Sequence, residues 1–415
     1  MSYKIIKNCR LCDSSELSSF LNFGLVPLGN NLQNNLKSAE LSHSYPLEVN
    51  ICNQCHHFQL GHSVSADLLY ATNYTYLSGI GLSFKKHIKE YSLWIKDKCY
   101  LSKNDLVVDI GSNDGTTLHA FKDIGCNVQG IDPASLPSSI ANENGIPTIN
   151  AFFDYGVVKT IIEDLGYADF VTSQNVLAHV ENLKEIFENI FILLKDKGYF
   201  CFEIGYFGEV LKNSFFDTIY HEHMDYHHAS PLVQLLRHIG FDVIDLSLNK
   251  VQGGSLRVLT QKTHKGIISG NVDAFIKNEK ISLLYNKNFL NNWQNLIDTK
   301  MSELNKKVNY YKSLGKTIIA YGAPTKLVLL LKMAKLNAKD INFIVDDNIH
   351  KIGKFIPNLG IEIKPVLDIT LHDEKVIIII AWNFADDIIC KLKLMSNKQF
   401  DVIIPLPILR EVKIC

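Results

Sequence analysis

Leu106-Val107-Val108-Asp109-Ile110-Gly111-Ser112-Asn113-Asp114-Gly115-Thr116 decides the fold. Its first five residues form a short run rich in apolar and β-branched side chains, which predicts a buried strand. Gly111 and Gly115 predict a tight turn whose backbone can come close to a ligand, with a helix opening behind it. The next strand, Val128 to Ile131, runs into Asp132 and Pro133. A carboxylate at that place can accept both hydroxyls of a ribose. The turn is not Gly-x-Gly-x-x-Gly. Asp109 closes the first strand and Asp114 lies inside the loop, and carboxylates repel a pyrophosphate. They suit a cationic ligand without phosphate. S-adenosylmethionine, with a sulfonium and an amino group, is such a ligand. Its expected contacts are Asp109, Gly111, Ser112, Asn113, Asp114, Asp132 and Pro133.

Working outward, further buried strands are expected at Phe170-Val171-Thr172 and Tyr199 to Ile204, with helical patterns between them. That alternation means a parallel sheet with helices on both faces. Two strand-like runs within 241–260 predict an antiparallel edge hairpin. A helical pattern covers about Leu82 to Ile95, and longer ones fill 272 to about 313. A second, smaller α/β block follows, with strands at Thr317 to Tyr321, Ile341 to Val345, Val376 to Ala381 and Val402 to Ile404. Residues 1 to about 65 read as loop-rich.

The 415 residues are too many for one ordinary core. With 47% hydrophobic and 20% charged residues the chain is globular. Its net charge of -1 supplies no field for nucleic acid or an anionic membrane. No apolar run is long enough to span a bilayer, and the start lacks a long apolar signal core. A cytoplasmic protein is expected. Nine cysteines, an odd number, suit reduced thiols or a metal site better than a disulfide framework. Cys9-Arg-Leu-Cys12 and Cys52-Asn-Gln-Cys55 are two knuckles of equal spacing. They can present four thiolates tetrahedrally, the geometry of structural zinc, with His56 or His57 as a substitute ligand.

A third constellation is Asp217-Thr218-Ile219-Tyr220-His221-Glu222-His223, followed by Asp225, Tyr226, His227 and His228. Imidazoles beside carboxylates and phenols suit proton abstraction near neutral pH. Spacing of i, i+2 argues against a helical His-Glu-x-x-His metal site. Asn175-Val-Leu-Ala-His179-Val180 follows a strand, where ligands collect in open α/β sheets.

In this order the motifs resemble those of the nucleotide-sugar C-methyltransferase family, over nearly the whole chain. The resemblance also takes in Phe23-Gly24 with Pro27-Leu28-Gly29-Asn30, Gly253-Gly254-Ser255-Leu256-Arg257, Tyr321-Gly322-Ala323-Pro324-Thr325-Lys326 and Val345-Asp346-Asp347-Asn348. Gln252 departs from it, standing where the family usually has His, as do Leu327 and Val328 behind Lys326. The implied fold is α/β: a Rossmann-like class I methyltransferase sheet at 69–262, a small zinc-binding domain at 1–68 and a second Rossmann-like domain at 263–415. The implied reaction methylates the carbon next to the ketone of a nucleotide-linked keto-sugar, with S-adenosylmethionine as donor. The resemblance implies His223 as general base. It makes Glu222, Tyr220, Tyr76 and His179 its catalytic and substrate-binding neighbours, with Asn175 at the cofactor and Lys326 at the substrate. The implied partner is a nucleotide-diphosphate keto-sugar, with structural zinc on Cys9, Cys12, Cys52 and Cys55; oligomeric state is left open. Two other classes share part of the pattern. An NAD-dependent nucleotide-sugar oxidoreductase or dehydratase would need a glycine fingerprint and a Tyr-x-x-x-Lys pair. A non-catalytic zinc-containing binding protein would not need Tyr220, Glu222 and His223 together.

Overall fold

The computed structural model describes residues 3–65, 68–69, 77–372, 374–395 and 399–414. Tyr70, Tyr74 and Tyr76 lie outside them, as does the side chain of Gln252.

The N-terminal region is not loop-rich. It holds β1 (Tyr3–Ile5), β2 (Leu17–Pro27), β3 (Ser44–Cys52), β4 (Phe58–Leu60) and β5 (His62–Val64). β2, β3 and β4 form an antiparallel sheet, and β1 pairs with β5. In β3, Tyr45, Leu47 and Val49 are buried and alternate with more exposed residues. That period of two makes the strand. Pro46 within it and the Cys-x-x-Cys turn that follows it hide the strand in the sequence.

The central sheet uses β6 (Leu106–Ile110), β7 (Asn127–Ile131), β8 (Thr148–Ile149), β9 (Ala168–Gln174) and β10 (Leu194–Gly205), all parallel. β11 (Asp225–Tyr226) leaves this sheet and pairs with β4 instead. β12 (Phe241–Asn249) and β13 (Ser255–Lys262) complete the sheet as an antiparallel hairpin with β12 at the edge, as expected. All five residues of β6 are buried, since helices cover both faces. The strand order β12-β13-β10-β9-β6-β7-β8 places a topological switch point between β6 and β9.

Helix Lys287–Ser313 leads to the second sheet and buries Leu290, Trp293, Ile297, Met301, Leu304, Val308 and Tyr311. Those positions repeat every three or four residues, so one stripe faces the core. Trp293 stacks on Phe20 of β2 with centroids 5.8 Å apart, which ties this helix to the N-terminal module. The sheet itself comprises β14 (Thr317–Tyr321), β15 (Phe343–Asp346), β16 (Ile363–Pro365), β17 (Lys375–Ile379), β18 (Phe400–Ile404) and β19 (Arg410–Ile414), in the order β16-β15-β14-β17-β18-β19. Only β19 is antiparallel. This is a second open sheet with its own switch point, between β14 and β17. Among the described residues no helix is long and apolar enough to cross a membrane.

Candidate active site

The loop after β6 is shaped by what lies against it. Gly111 has φ +71°, and a Cβ there would stand 2.3 Å from Cγ2 of Val176. Only glycine fits both the conformation and the space. Asp132, at the end of β7, braces the loop by accepting from the Asn113 N–H at 2.9 Å and the Ala134 N–H at 2.8 Å. Burial pushes its carboxyl above the ordinary range. Asp109 is 1% exposed. Burial, and then Asp132 nearby, hold its carboxyl well above the usual value. Oδ1 of Asp109 and Oγ of Ser112 are buried with no hydrogen-bond partner among the described residues. Such atoms cost about 1–3 kcal/mol each unless a ligand pairs them. An amino acid ammonium and ribose hydroxyls supply the missing donors, so this crevice fits S-adenosylmethionine.

Two expected cofactor residues are engaged elsewhere. Asn113 Oδ1 accepts from the N–H and the hydroxyl of Ser78, both at 2.9 Å. Asp114 accepts from the Gly79 N–H at 2.7 Å and the Thr116 hydroxyl at 2.7 Å. Both hold residues 78–79 down on the loop. Pro133 is exposed. Asn175 sits just past β9 at φ +57°, its N–H bonded to the Glu203 carbonyl at 2.8 Å.

The Tyr220 to His228 run divides into a group packed around His223 and a set of contacts between modules. His223 Nδ1 is 2.8 Å from the Thr218 carbonyl oxygen, which can only accept. Nδ1 therefore carries the hydrogen and Nε2 the lone pair. Tyr220, its oxygen 2.7 Å away, donates to Nε2. His179 packs edge-on against His223 with centroids 4.7 Å apart. Burial holds His223 down to about 3 and His179 down to about 4, so both rings are neutral. Burial raises the Glu222 carboxyl to about 7, opposed by the Asn30 amide that donates to it at 3.0 Å.

The rest of the run stitches modules together. Asp225 lies 2.9 Å from both Arg10 Nε and His57 Nε2. Nδ1 of His228 lies 3.0 Å from Glu279, and Nε2 donates to the His56 carbonyl at 3.0 Å. His221 and His227 are buried, each 3.4 Å from a backbone carbonyl oxygen.

The four cysteines meet as their spacing implied. Their sulfurs all lie within 4.8 Å of one another, with Cys9–Cys55 at 3.5 Å and Cys12–Cys52 at 3.6 Å. A zinc–sulfur length near 2.3 Å sets tetrahedral sulfurs about 3.8 Å apart, so the cage fits zinc. The hydrogen bond with Cys55 draws the Cys9 thiol down, while the same bond raises the Cys55 thiol and burial raises that of Cys12. His57 is committed to Asp225 and His56 packs against Tyr285, so neither joins the cluster.

Lys326 sits at the seam with the C-terminal sheet. Its Nζ is 3.2 Å from Asp217, 3.3 Å from Asn383 and 4.0 Å from the Trp382 ring centroid. Asp217 also accepts from the Trp382 indole N–H at 2.6 Å. The Ala323 N–H goes to Asp346, Pro324 has none, and the helix behind it, Leu327–Met333, is only two turns long. Asn30, Asp217, Thr218 and Trp382 were not singled out as site residues. Asn30 lay within the Pro27 to Asn30 motif and Asp217 and Thr218 opened the Asp217 to His228 run, whereas Trp382 carried no signal.

An acid-lined switch point in a parallel sheet, fronted by a four-cysteine module, defines an S-adenosylmethionine-dependent methyltransferase with structural zinc. Three family models match in order: a zinc binding domain at residues 9–70, a methyltransferase domain at 86–246 and a C-methyltransferase C-terminal domain at 250–407. The chain is 30% identical over 405 residues to the C-methyltransferase NovU of Streptomyces niveus, covering 97% of this chain and 96% of that protein. The chain belongs to this C-methyltransferase family, which sets aside the oxidoreductase and binding-protein alternatives. Among solved structures, magnesium protoporphyrin IX methyltransferase of Synechocystis with bound S-adenosylhomocysteine is 14% identical, covering 44% of this chain and 89% of that one at a TM-score of 0.35. A methyltransferase from Archaeoglobus fulgidus is 15% identical, covering 42% and 94% at a TM-score of 0.34.

Proposed function

We propose that the substrate is a nucleotide-diphosphate-linked keto-sugar, methylated on the carbon next to its ketone by base-catalysed enolate formation. The observation that carries this is His223, whose Nδ1–H is fixed on Thr218 so that Nε2 holds a lone pair 2.7 Å from the Tyr220 oxygen. A carbon next to a ketone has an acidic proton, and a neutral buried imidazole is always in the accepting form. The proton passes to Nε2 directly, once Tyr220 turns to the substrate, or through the Tyr220 hydroxyl. Charge developing on the enolate oxygen raises the imidazole's proton affinity as the bond breaks. His179 and Tyr76 donate hydrogen bonds to that oxygen in this reading. Glu222 holds a sugar hydroxyl. The enolate carbon then attacks the electrophilic methyl that S-adenosylmethionine supplies. Asp217 and Asn383 take two of the three Lys326 N–H donors. The third serves an anionic group of the substrate. In this reading the segments 1–68, 69–262 and 263–415 act as zinc module, chemical domain and cover. The cytoplasmic reading is supported by the described cysteines, none of which is in a disulfide.

Incubation with S-adenosylmethionine and a panel of nucleoside-diphosphate keto-sugars tests this. Mass spectrometry should find one product heavier by a methyl group, with the added carbon bonded to carbon. Methylation on oxygen or nitrogen, or of a substrate without a ketone, would replace the reading.

A further inference from the structure

Glu222 is held by an atom from another module. The Asn30 amide donates to Glu222 Oε1 at 3.0 Å, and its carbonyl oxygen accepts from the Thr325 hydroxyl at 2.8 Å. Asn30 ends the N-terminal Pro27 to Asn30 stretch, Glu222 belongs to the central domain, and Thr325 lies in the turn after β14. The three segments meet tightly, since a Cβ on Gly29 would stand 2.2 Å from the Thr325 carbonyl oxygen. Asn is the residue this place needs. Its one planar group donates on one side and accepts on the other, whereas Asp could not donate and Ser could not span both. Glu222 is 4% exposed, so a lost partner there cannot be replaced freely by water.

We propose that Asn30 is a positioning residue for the reaction, setting the Glu222 carboxylate against the substrate and making that setting depend on the C-terminal domain being seated. The inference rests on the role given to Glu222 above. Thr325 is the sensor end of the chain and Glu222 the working end. When the second sheet is displaced, Asn30 loses its acceptor contact and is free to rotate, and Glu222 loses its donor. The zinc module thereby enters the reaction through one amide rather than through its metal.

The test uses full-length zinc-loaded protein with a nucleoside-diphosphate 4-keto-6-deoxyhexose as the keto-sugar probe. Asn30→Asp keeps the shape and the acceptor but removes the donor. It should lower kcat about 10–100-fold, the size of one hydrogen bond to a charged group, while KM for S-adenosylmethionine stays within about twofold. Thr325→Val should lower kcat by a smaller factor, and Thr325→Ser should restore it. The pair Asn30→Asp with Glu222→Gln rebuilds the bond with donor and acceptor exchanged. It should regain the melting temperature lost in Asn30→Asp without regaining turnover. Turnover regained along with melting would make Asn30 a structural brace only and overturn the proposal, as would kcat within about twofold of wild type in Asn30→Asp. If Glu222→Gln alone turns over normally, the role of Glu222 falls first. If Glu222→Gln is impaired and Asn30→Asp is not, only the present inference fails.

Discussion

At the end of β7, Asp132 accepts from the N–H groups of Asn113 and Ala134; at the end of β15, Asp346 accepts from those of Ala323 and Asn348. The four distances lie between 2.7 and 2.9 Å. Both acids brace the loop that follows the first strand of their sheet. The atoms beside each brace differ. In the first sheet Asp109 Oδ1 and Ser112 Oγ are buried without partners among the described residues. In the second, the Tyr321 hydroxyl donates to Asp347 at 2.9 Å and the Lys351 ammonium donates to the Ala323 carbonyl at 2.9 Å. One crevice leaves hydrogen-bonding capacity for a ligand, and the other spends it on itself. Equal topology thus yields a cofactor site once and a brace once, and a few loop residues decide which.

The largest expected effect separates the chemistry from both braces. His223→Ala should lower turnover by about 10²–10⁴-fold, the usual contribution of a general base. Calorimetric affinity for S-adenosylhomocysteine should barely change. With S-adenosylhomocysteine replacing the methyl donor, wild type should wash solvent deuterium into the carbon next to the ketone, and the variant should not. Exchange at the wild-type rate in the variant would move the base to Tyr76 or His179. Next in size comes the direct contrast of the two acids. Asp132→Ala should weaken S-adenosylhomocysteine binding by roughly 1–3 kcal/mol, about 5–150-fold, whereas Asp346→Ala should leave it unchanged. Equal losses would mean that the second brace also serves the cofactor and would break the comparison. Neither variant, nor wild type, should bind NAD.

The first crevice was legible because its signal is local. Asp109 to Gly115 and Asp132 are contiguous with their strands, and the two Cys-x-x-Cys pairs carry their geometry in their spacing. The second sheet was legible in type, though β16 and β19 were not expected; β16 is only three residues long, and β19 exposes most of its length. The Tyr220 to His228 run was legible as a cluster but not in its division of labour. The partners of Asp225, His228 and Glu222 come from Arg10, Glu279 and Asn30, at separations of 215, 51 and 192 residues. No window along the chain contains them. The same holds for Lys326, whose ion pair with Asp217 spans the seam between domains.

A pH profile sharpens the chemical side further. Burial holds His223 neutral down to about 3, so no imidazole limb should appear in kcat above pH 4. Glu222 is raised to about 7, so kcat should fall about tenfold per pH unit below that value if its carboxylate is the working form. Glu222→Gln should abolish the limb. Stability carries the opposite signs. Between about 4.5 and 7 the folded Glu222 keeps a proton that the unfolded chain has released, so its contribution to stability falls as pH rises. His179 and His223 stay neutral when folded but take up protons below 6.5 when unfolded, so their contribution falls as pH drops toward 4 and 3. Melting temperature against pH should therefore slope opposite ways in Glu222→Gln and His223→Ala, relative to wild type.

The smallest effect tests whether the second sheet reaches His223, the proposed base, at all. Asp217 sits in the 3-10 turn Phe216–Thr218, and the Thr218 carbonyl fixes the His223 tautomer. The turn is pinned from the other sheet by the Trp382 indole N–H on Asp217 and by the Trp382 ring stacked on Phe215, centroids 4.5 Å apart. Trp382→Phe retains the stacking surface and removes the N–H. The buried Asp217 keeps Lys326 as its partner, so folding should survive with a loss of about 1–3 kcal/mol. Turnover should fall less than about tenfold, because the tautomer is disturbed only through one intervening turn. S-adenosylhomocysteine affinity should hold, since the β6–β9 crevice is untouched. Solvent deuterium exchange should slow by the same factor as turnover, which places the loss in proton abstraction. A fall in turnover with undiminished exchange would place it in methyl transfer instead, and the second sheet would then act on the cofactor side after all.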